Sequence, residues 1–214
     1  MEFKIWIGNL GRYNEGALVG EWVSLPISFA DFVGVLERIQ IDGVRYEEYG
    51  IFDYDCDIPG LTDCLGEWEN IETLNYLAGK LNEMDKWDLE LFEAALQTGE
   101  HCGNLAELIE LAEGLENFML LGGVNDYDDL GRYYAEELGT IDFKKGGILE
   151  YYFDFERYGR DIALEECGVF TDAGYTCVID YDYPDFSPDD IPDEYRLHKT
   201  EEDEEEEKEE VKHV

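Results

Sequence analysis

Apolar and polar positions alternate from the start of the chain. Phe3, Ile5 and Ile7 are separated by Lys4 and Trp6, the two-residue period of a half-buried strand. GRYNEG (11–16) supplies turn residues, and 17–25, rich in Val, Leu and Trp, predicts a second strand that Pro26 ends. Ser28, with Asp31 three residues on, predicts the N-cap of a helix carrying Phe29, Phe32, Val33, Leu36 and Ile39 at helical spacing. Residues 45–54, where aromatics and acids interleave, predict a returning strand. From about 61 to 103 the period becomes helical. Leu74, Leu77, Ala78 and Leu81 form one stripe and Leu89, Phe92, Ala95 and Leu96 another, with Gly99 as the stop.

Asn104 opens a third region as the cap of a helix bearing Leu105, Leu108, Ile109 and Ala112. A strand at 118–124 follows, then VNDYDDLGRYYAEELG (124–139), a helix with Asp126 as N-cap and Gly139 as C-cap. Residues 148–158 read as helical or mixed. YGRDIALEECGVFTDAG and YTCVIDYDY read as a final strand pair joined by Gly and Asp turns. Beyond Pro184 the Pro and Asp content marks a linker. The expected fold class is α+β in three small domains: 1–61 (sheet plus helix), 62–103 (helical middle) and 104–184 (sheet plus helices). Residues 185–214 are expected to be linker and disordered acidic tail, and no internal repeat is evident.

Composition changes this picture in one respect. Apolar residues make up 44% and aromatics 14%, so the chain has the material for a core. Against that stand 54 Asp and Glu and only 15 Lys and Arg, a net charge of −39. The run EEDEEEEKEE (201–210) is a self-repelling tail, but it accounts for little of the excess: residues 104–198 alone hold 24 acids and 6 bases. Such a surface excludes a bare nucleic-acid binder, which needs clustered Lys and Arg, and is repelled by anionic membranes. Cationic partners fit: divalent metals, basic proteins, or proteins that themselves hold nucleic acid. Solubility and salt adaptation are the bland alternatives. MEFKIWIGNLGRYNEG lacks the apolar core of a signal peptide, and no apolar run approaches the roughly 20 residues of a membrane span. Five cysteines without CxxC spacing fit a reducing cytoplasm.

Chemistry finds little to stand on. His101 lies beside a turn, and His198 and His213 lie in or near the tail; none has a nucleophile or ligand set in recognisable spacing. Asp53, Asp55 and Asp57 in DYDCDIPGLTDC imitate half a calcium loop, but Ile58 stands where its Gly belongs and Cys64 where its Glu belongs. The cluster Asp180, Asp182, Asp185, Asp189 and Asp190 reads as solvated linker. No phosphate-binding GxxxxGK[ST] occurs. A hydrolase using paired carboxylates is a residual reading, since with 54 acids pairs are uninformative. No cofactor or metal site is expected. Tyr133, Tyr134, Tyr151 and Tyr152 read mostly as packing.

The acids do have a spacing of their own. Glu107, Glu110 and Glu113 recur every three residues, a rise of about 4.5 Å per step on a helix, with Glu116 continuing the series. Like charges at that spacing cost about a few tenths of a kcal/mol per pair, so the apolar stripe must outweigh them. B-DNA displays one charge per ~1.7 Å of axis, so −39 matches at most ~66 Å of duplex, or ~130 Å for a two-fold dimer.

Three stretches in order resemble the ArdA antirestriction family: IWIGNLGRYNEGALVGEW (5–22), DYDDLGRYYAEELG (126–139), which is similar to that family's antirestriction motif, and YFDFERYGRDIALE (152–165). The resemblance runs from the N-terminus to about Tyr183; the middle region and the acidic run match less or not at all. It implies an elongated, three-domain α+β homodimer, dimerising through its last domain. It also implies a DNA mimic from a mobile genetic element that binds the methyltransferase core of Type I restriction-modification enzymes. Carried onto this chain, the motif's acids are Asp126, Asp128, Asp129, Glu136 and Glu137. Leu130, Tyr133, Tyr134 and Leu138 take its apolar positions, and Arg132 ties acids together. The motif has two open roles, building the fold or dimer and touching the enzyme. The alternative from another class is an acidic binder or chaperone of basic proteins, working through its Glu-rich tail.

Overall fold

The computed structural model describes residues 1–143 and 147–198, with backbone only at 149 and 150. The acidic tail expected at the C-terminus lies outside the described residues. The fold is mixed α+β, with helices and two antiparallel three-stranded sheets. It divides into two compact units. One comprises Met1–Met84, Asn104–Ala112 and the described part of Asp185–Val214; the other comprises Asp85–Gly103 and Glu113–Pro184. The stretch 62–103 therefore contributes its first long helix to one unit and its second to the other.

In the first unit β1 (Phe3–Asn9) runs between β2 (Gly20–Ser24) and β3 (Tyr49–Cys56). Phe3, Ile5 and Ile7 are buried, as their alternation predicts. Asn9, fully buried, joins three elements. Its Oδ1 accepts the Arg12 N–H that starts α1 (Leu10–Asn14), and its amide donates to the Ile39 and Gln40 carbonyls at the end of α2 (Phe29–Arg38). Ser28 caps α2 by accepting the Asp31 N–H at 3.2 Å. The inward face of α2 is Phe32, Val35 and Ile39; Val33, placed on the stripe from sequence, is exposed.

The returning strand begins at Tyr49, four residues later than the alternation predicts, because Asp42 builds a turn instead. Its carboxylate accepts the N–H groups of Val44, Arg45 and Tyr46 at 2.9, 2.8 and 3.0 Å, which lowers its pKa to about 2. The turn sends Arg45 and the Tyr46 hydroxyl to Glu15.

Asn70 caps α3 (Ile71–Glu83), on which Leu74, Leu77, Ala78 and Leu81 are all fully buried. Asn104 caps α5 (Leu105–Glu113) through the Glu107 N–H. Residues 185–198, expected as a linker, are instead packed along α3. Ile191 and Leu197 are buried, and the Tyr195 ring lies where a Cβ on Gly79 would stand, 2.1 Å from it. Asn75, also buried, donates to the carbonyls of Ile27 and Tyr195. Apolar residues at 191, 195 and 197 among Pro and Asp have no helical or strand period, so their burial depends on what they meet.

In the second unit Asp85 caps α4 (Lys86–Leu96), which lies against β4 (Phe118–Gly122) and β6 (Gly174–Val178). Leu91, Phe92, Ala94, Ala95 and Leu96 are its buried residues. The sheet order is β4-β6-β5, with β5 (Val169–Thr171) pairing on the other side of β6. α6 (Tyr127–Arg132) runs into a π-helical turn, Tyr133–Glu137, followed by α7 (Ile148–Tyr152) and α8 (Phe155–Glu166). The segment YGRDIALEE, expected in a strand, is helix. Phe155, Gly159, Ile162 and Ala163 recur at helical spacing and bury one face, and Cys167 at φ 51° ends it. Val124, Leu130, Ile162, Ala163, Tyr175 and Cys177 form the core, with Tyr133 and Tyr134 packed against it.

Candidate functional site

The stretch 124–139 is held at its start by its own acids. Asp126 Oδ1 accepts the Asp129 N–H at 2.9 Å, and Asp129 Oδ2 accepts the Asn125 N–H at 3.1 Å. Both therefore serve the helix start, whose unpaired N–H groups and dipole favour negative charge. Asp128 and Glu136 flank Arg132, at 2.6 and 3.7 Å, and the guanidinium sits 4.2 Å from the centre of the Phe155 ring. Arg132 thus ties acids together as the sequence suggests, and it also covers an aromatic residue of α8. Leu130 is fully buried, Tyr133 and Tyr134 are half-buried, and Leu138 is 54% exposed. Asp126, Glu136 and Glu137 face solvent, and Gly139 has the positive φ expected of a C-cap.

Two glycines the sequence reading passed over set the geometry behind this surface. A Cβ on Gly131 would stand 2.0 Å from the Phe155 carbonyl oxygen; one on Gly159 would stand 1.9 Å from that of Tyr127 and 2.6 Å from the Gly131 nitrogen. α6 and α8 therefore touch backbone to backbone. Glycine inside a helix costs roughly 0.5–1 kcal/mol relative to Ala, a penalty that close packing offsets here. A Gly at mid-helix in each of two neighbouring motifs was the available signal.

Glu166, at the end of α8, is the other group missed. Its carboxylate accepts from the hydroxyls of Tyr134 and Tyr175, the latter at 2.8 Å, tying the π-helical turn to β6. Burial first, and then the bond to Glu166, raises the pKa of both tyrosines. Burial, reinforced by the charge of Glu166, pushes the Cys177 thiol up to about 12. Raised folded pKa values favour the protonated forms, so this contribution to stability is complete below the ordinary thiol value of 9.0 and is lost as pH rises through the folded values. Unfolding free energies from urea titrations are expected to fall steadily above about pH 9, by roughly 1.4 kcal/mol per pH unit for each group that ionises only on unfolding, and less steeply in Tyr134→Phe. A flat profile from pH 8 to 11 would contradict this.

An open cleft of about 640 Å³ lies beside the motif, with Asp128, Glu136, Asp154 and Glu156 set around Arg132 and Phe155. Four carboxylates and one guanidinium leave a net anionic lining suited to a cationic side chain. Tyr151 and Tyr152 meet edge-on, with ring centroids 5.2 Å apart, but are 83% and 75% exposed, so among the described residues the core packing expected of them does not occur.

The acidic row of the third region is less open than its spacing suggests. Glu107, Glu110 and Glu113 are half-buried; the Glu107 carboxylate accepts from the Asn104 amide and that of Glu110 from the Phe186 N–H at 2.9 Å. Glu116 is exposed. Helical spacing specifies which residues share a face, but the 185–198 segment returning to α5 is what occupies Glu110.

A family model described as Antirestriction protein (ArdA) matches residues 5–177, most of the chain. No curated protein matches it.

Proposed function

The chain belongs to the ArdA antirestriction family, and from that premise we propose that it inhibits Type I restriction-modification enzymes by occupying the DNA-binding groove of their methyltransferase core. The observation that carries this reading is the charge, −39 in 214 residues, with acids in every region of the chain. A groove built to hold duplex DNA carries clustered Lys and Arg and binds largely through counterion release. A carboxylate surface presents the same charge to the same groove. The exposed acids Asp126, which also caps the helix, Glu136 and Glu137 are its contribution from the motif, while Asp129 chiefly holds the helix start and Asp128 chiefly holds Arg132. The action is binding without turnover. The exposed Leu138, Ile148, Tyr151 and Tyr152 favour a homodimer formed through the C-terminal region. Among the described residues no helix is long and apolar enough to cross a membrane. We assign the protein to the bacterial cytoplasm, where its target works.

Labelled duplex bound to a purified Type I methyltransferase core is expected to be displaced by the protein, with mutual exclusion at saturation. A ternary complex with DNA would overturn the reading. Truncation after Leu197 separates it from the acidic-chaperone alternative. Loss of the tail is expected to leave displacement of DNA intact, whereas a chaperone of basic proteins would lose its working part.

A further inference from the structure

The outer face of the first unit's sheet differs from the charged surface elsewhere. With Phe3, Ile5 and Ile7 turned inward, Lys4, Trp6 and Gly8 turn outward. The antiparallel registers set Trp22 and Asp53 beside Trp6, and Asp55 beside Lys4. The register slips between Trp6 and Ile7, and Phe52 is the extra residue of a bulge in β3. Its ring stands edge-on to Trp6 at 5.3 Å and near Tyr13 of α1 at 5.2 Å. Glycines form the floor. An added Cβ would lie 2.5 Å from the Trp6 ring and 2.6 Å from Phe52 at Gly8, and 2.4 Å from Trp6 at Gly20. The rings therefore lie down on the sheet. They are nonetheless open, with Tyr13 54%, Trp22 47% and Phe52 38% exposed.

We propose that this face docks arginine side chains of a basic protein partner, stacking guanidinium groups on Trp22, Trp6 and Phe52 while Asp53 and Asp55 balance their charge. The identity of that partner as a DNA-binding enzyme rests on the function proposed above; the chemistry of the face does not. Charge complementarity selects the occupant. Lys4, on the same face, is already paired with Glu2, so Asp53 and Asp55 set the sign of what is free to bind. A purely apolar partner would strip water from these carboxylates with no compensation. Between the two cationic side chains the rings decide: guanidinium is planar, weakly hydrated and stacks on aromatic faces, whereas ammonium is compact and strongly hydrated. Arginine is also the residue that DNA-binding surfaces present to phosphates and guanines.

The test uses the full-length protein with blocked hexa-arginine and hexa-lysine peptides, read by titration and by the indole N–H signals of Trp6, Trp22, Trp68 and Trp87. Hexa-arginine is expected to move the Trp6 and Trp22 signals and to bind about fivefold tighter than hexa-lysine. The double variant Trp22→Thr, Phe52→Thr, which removes exposed rings and keeps strand-favouring residues, should lose that preference and retain its affinity for hexa-lysine. Equal affinity for the two peptides, or shifts at Trp68 and Trp87 as large as those at Trp6 and Trp22, would overturn the proposal. Toward the methyltransferase core the same variant should bind about tenfold more weakly with an unchanged salt slope, because ring stacking releases no counterions. Unchanged affinity there would overturn it too. Failure of the unaltered protein to bind the core would instead overturn the Type I reading, and the peptide result would still judge this face.

Discussion

Gly159→Ala is expected to disrupt the second unit, lowering its stability by about 3 kcal/mol or more and abolishing inhibition. The added methyl group would meet the Tyr127 carbonyl oxygen at 1.9 Å and the Gly131 nitrogen at 2.6 Å. Both are backbone atoms, so no change of rotamer relieves the overlap; α6 and α8 must separate. Separation withdraws Phe155 from beneath Arg132 and opens the core around Leu130 and Ile162. Gly131→Ala should behave alike, with its collision at the Phe155 carbonyl. Gly34→Ala in α2 is the control. Its Cβ would meet only the end of the Arg38 side chain, at 3.2 Å, so the better helix former should stabilise by roughly 0.5–1 kcal/mol. Urea denaturation followed by circular dichroism separates the cases, and equal small effects at all three positions would refute the backbone contact as the cause.

Raising monovalent salt from 50 to 200 mM is expected to weaken binding to the methyltransferase core by about a thousandfold, if about six of the enzyme's cationic groups are engaged as they are by phosphates. The logarithm of the affinity should fall linearly with the logarithm of salt, and at the same time the protein should remain folded. Single neutralisations such as Asp126→Asn or Glu137→Gln should cost little, within about 1 kcal/mol, because each exposed charge is one of many. Asp128→Asn is a more complex case: it releases Arg132 as well as removing a charge. Titrations at four salt concentrations decide this. A slope near zero, or one exposed acid whose loss ends inhibition in a folded protein, would replace the distributed surface by a compact hot spot.

The two expectations rest on different kinds of information. Salt dependence follows from composition and needs no coordinates. The chain shows a glycine in each of two neighbouring motifs, Gly131 and Gly159, but only the meeting of the two backbones makes both necessary. The strand expected over 158–166 is helix, because Phe155, Gly159, Ile162 and Ala163 recur at helical spacing and bury one face.

What the sequence determined alone was whatever acts within a few residues. Ser28, Asn104 and Asp126 cap the helices expected of them, and Leu74, Leu77, Ala78 and Leu81 form the stripe their spacing requires. The charge and the family resemblance were equally legible. Tertiary structure alone decided what depends on partners far along the chain. It decided that Glu166 holds Tyr134 and Tyr175, that residues 185–198 pack on α3, and that a bulge brings Phe52 between Trp6 and Tyr13. Caps and stripes are set by the helix's own geometry over three or four residues. A carboxylate's donors, a buried tyrosine or a glycine's neighbour are set by which distant backbone arrives, and no local period encodes that.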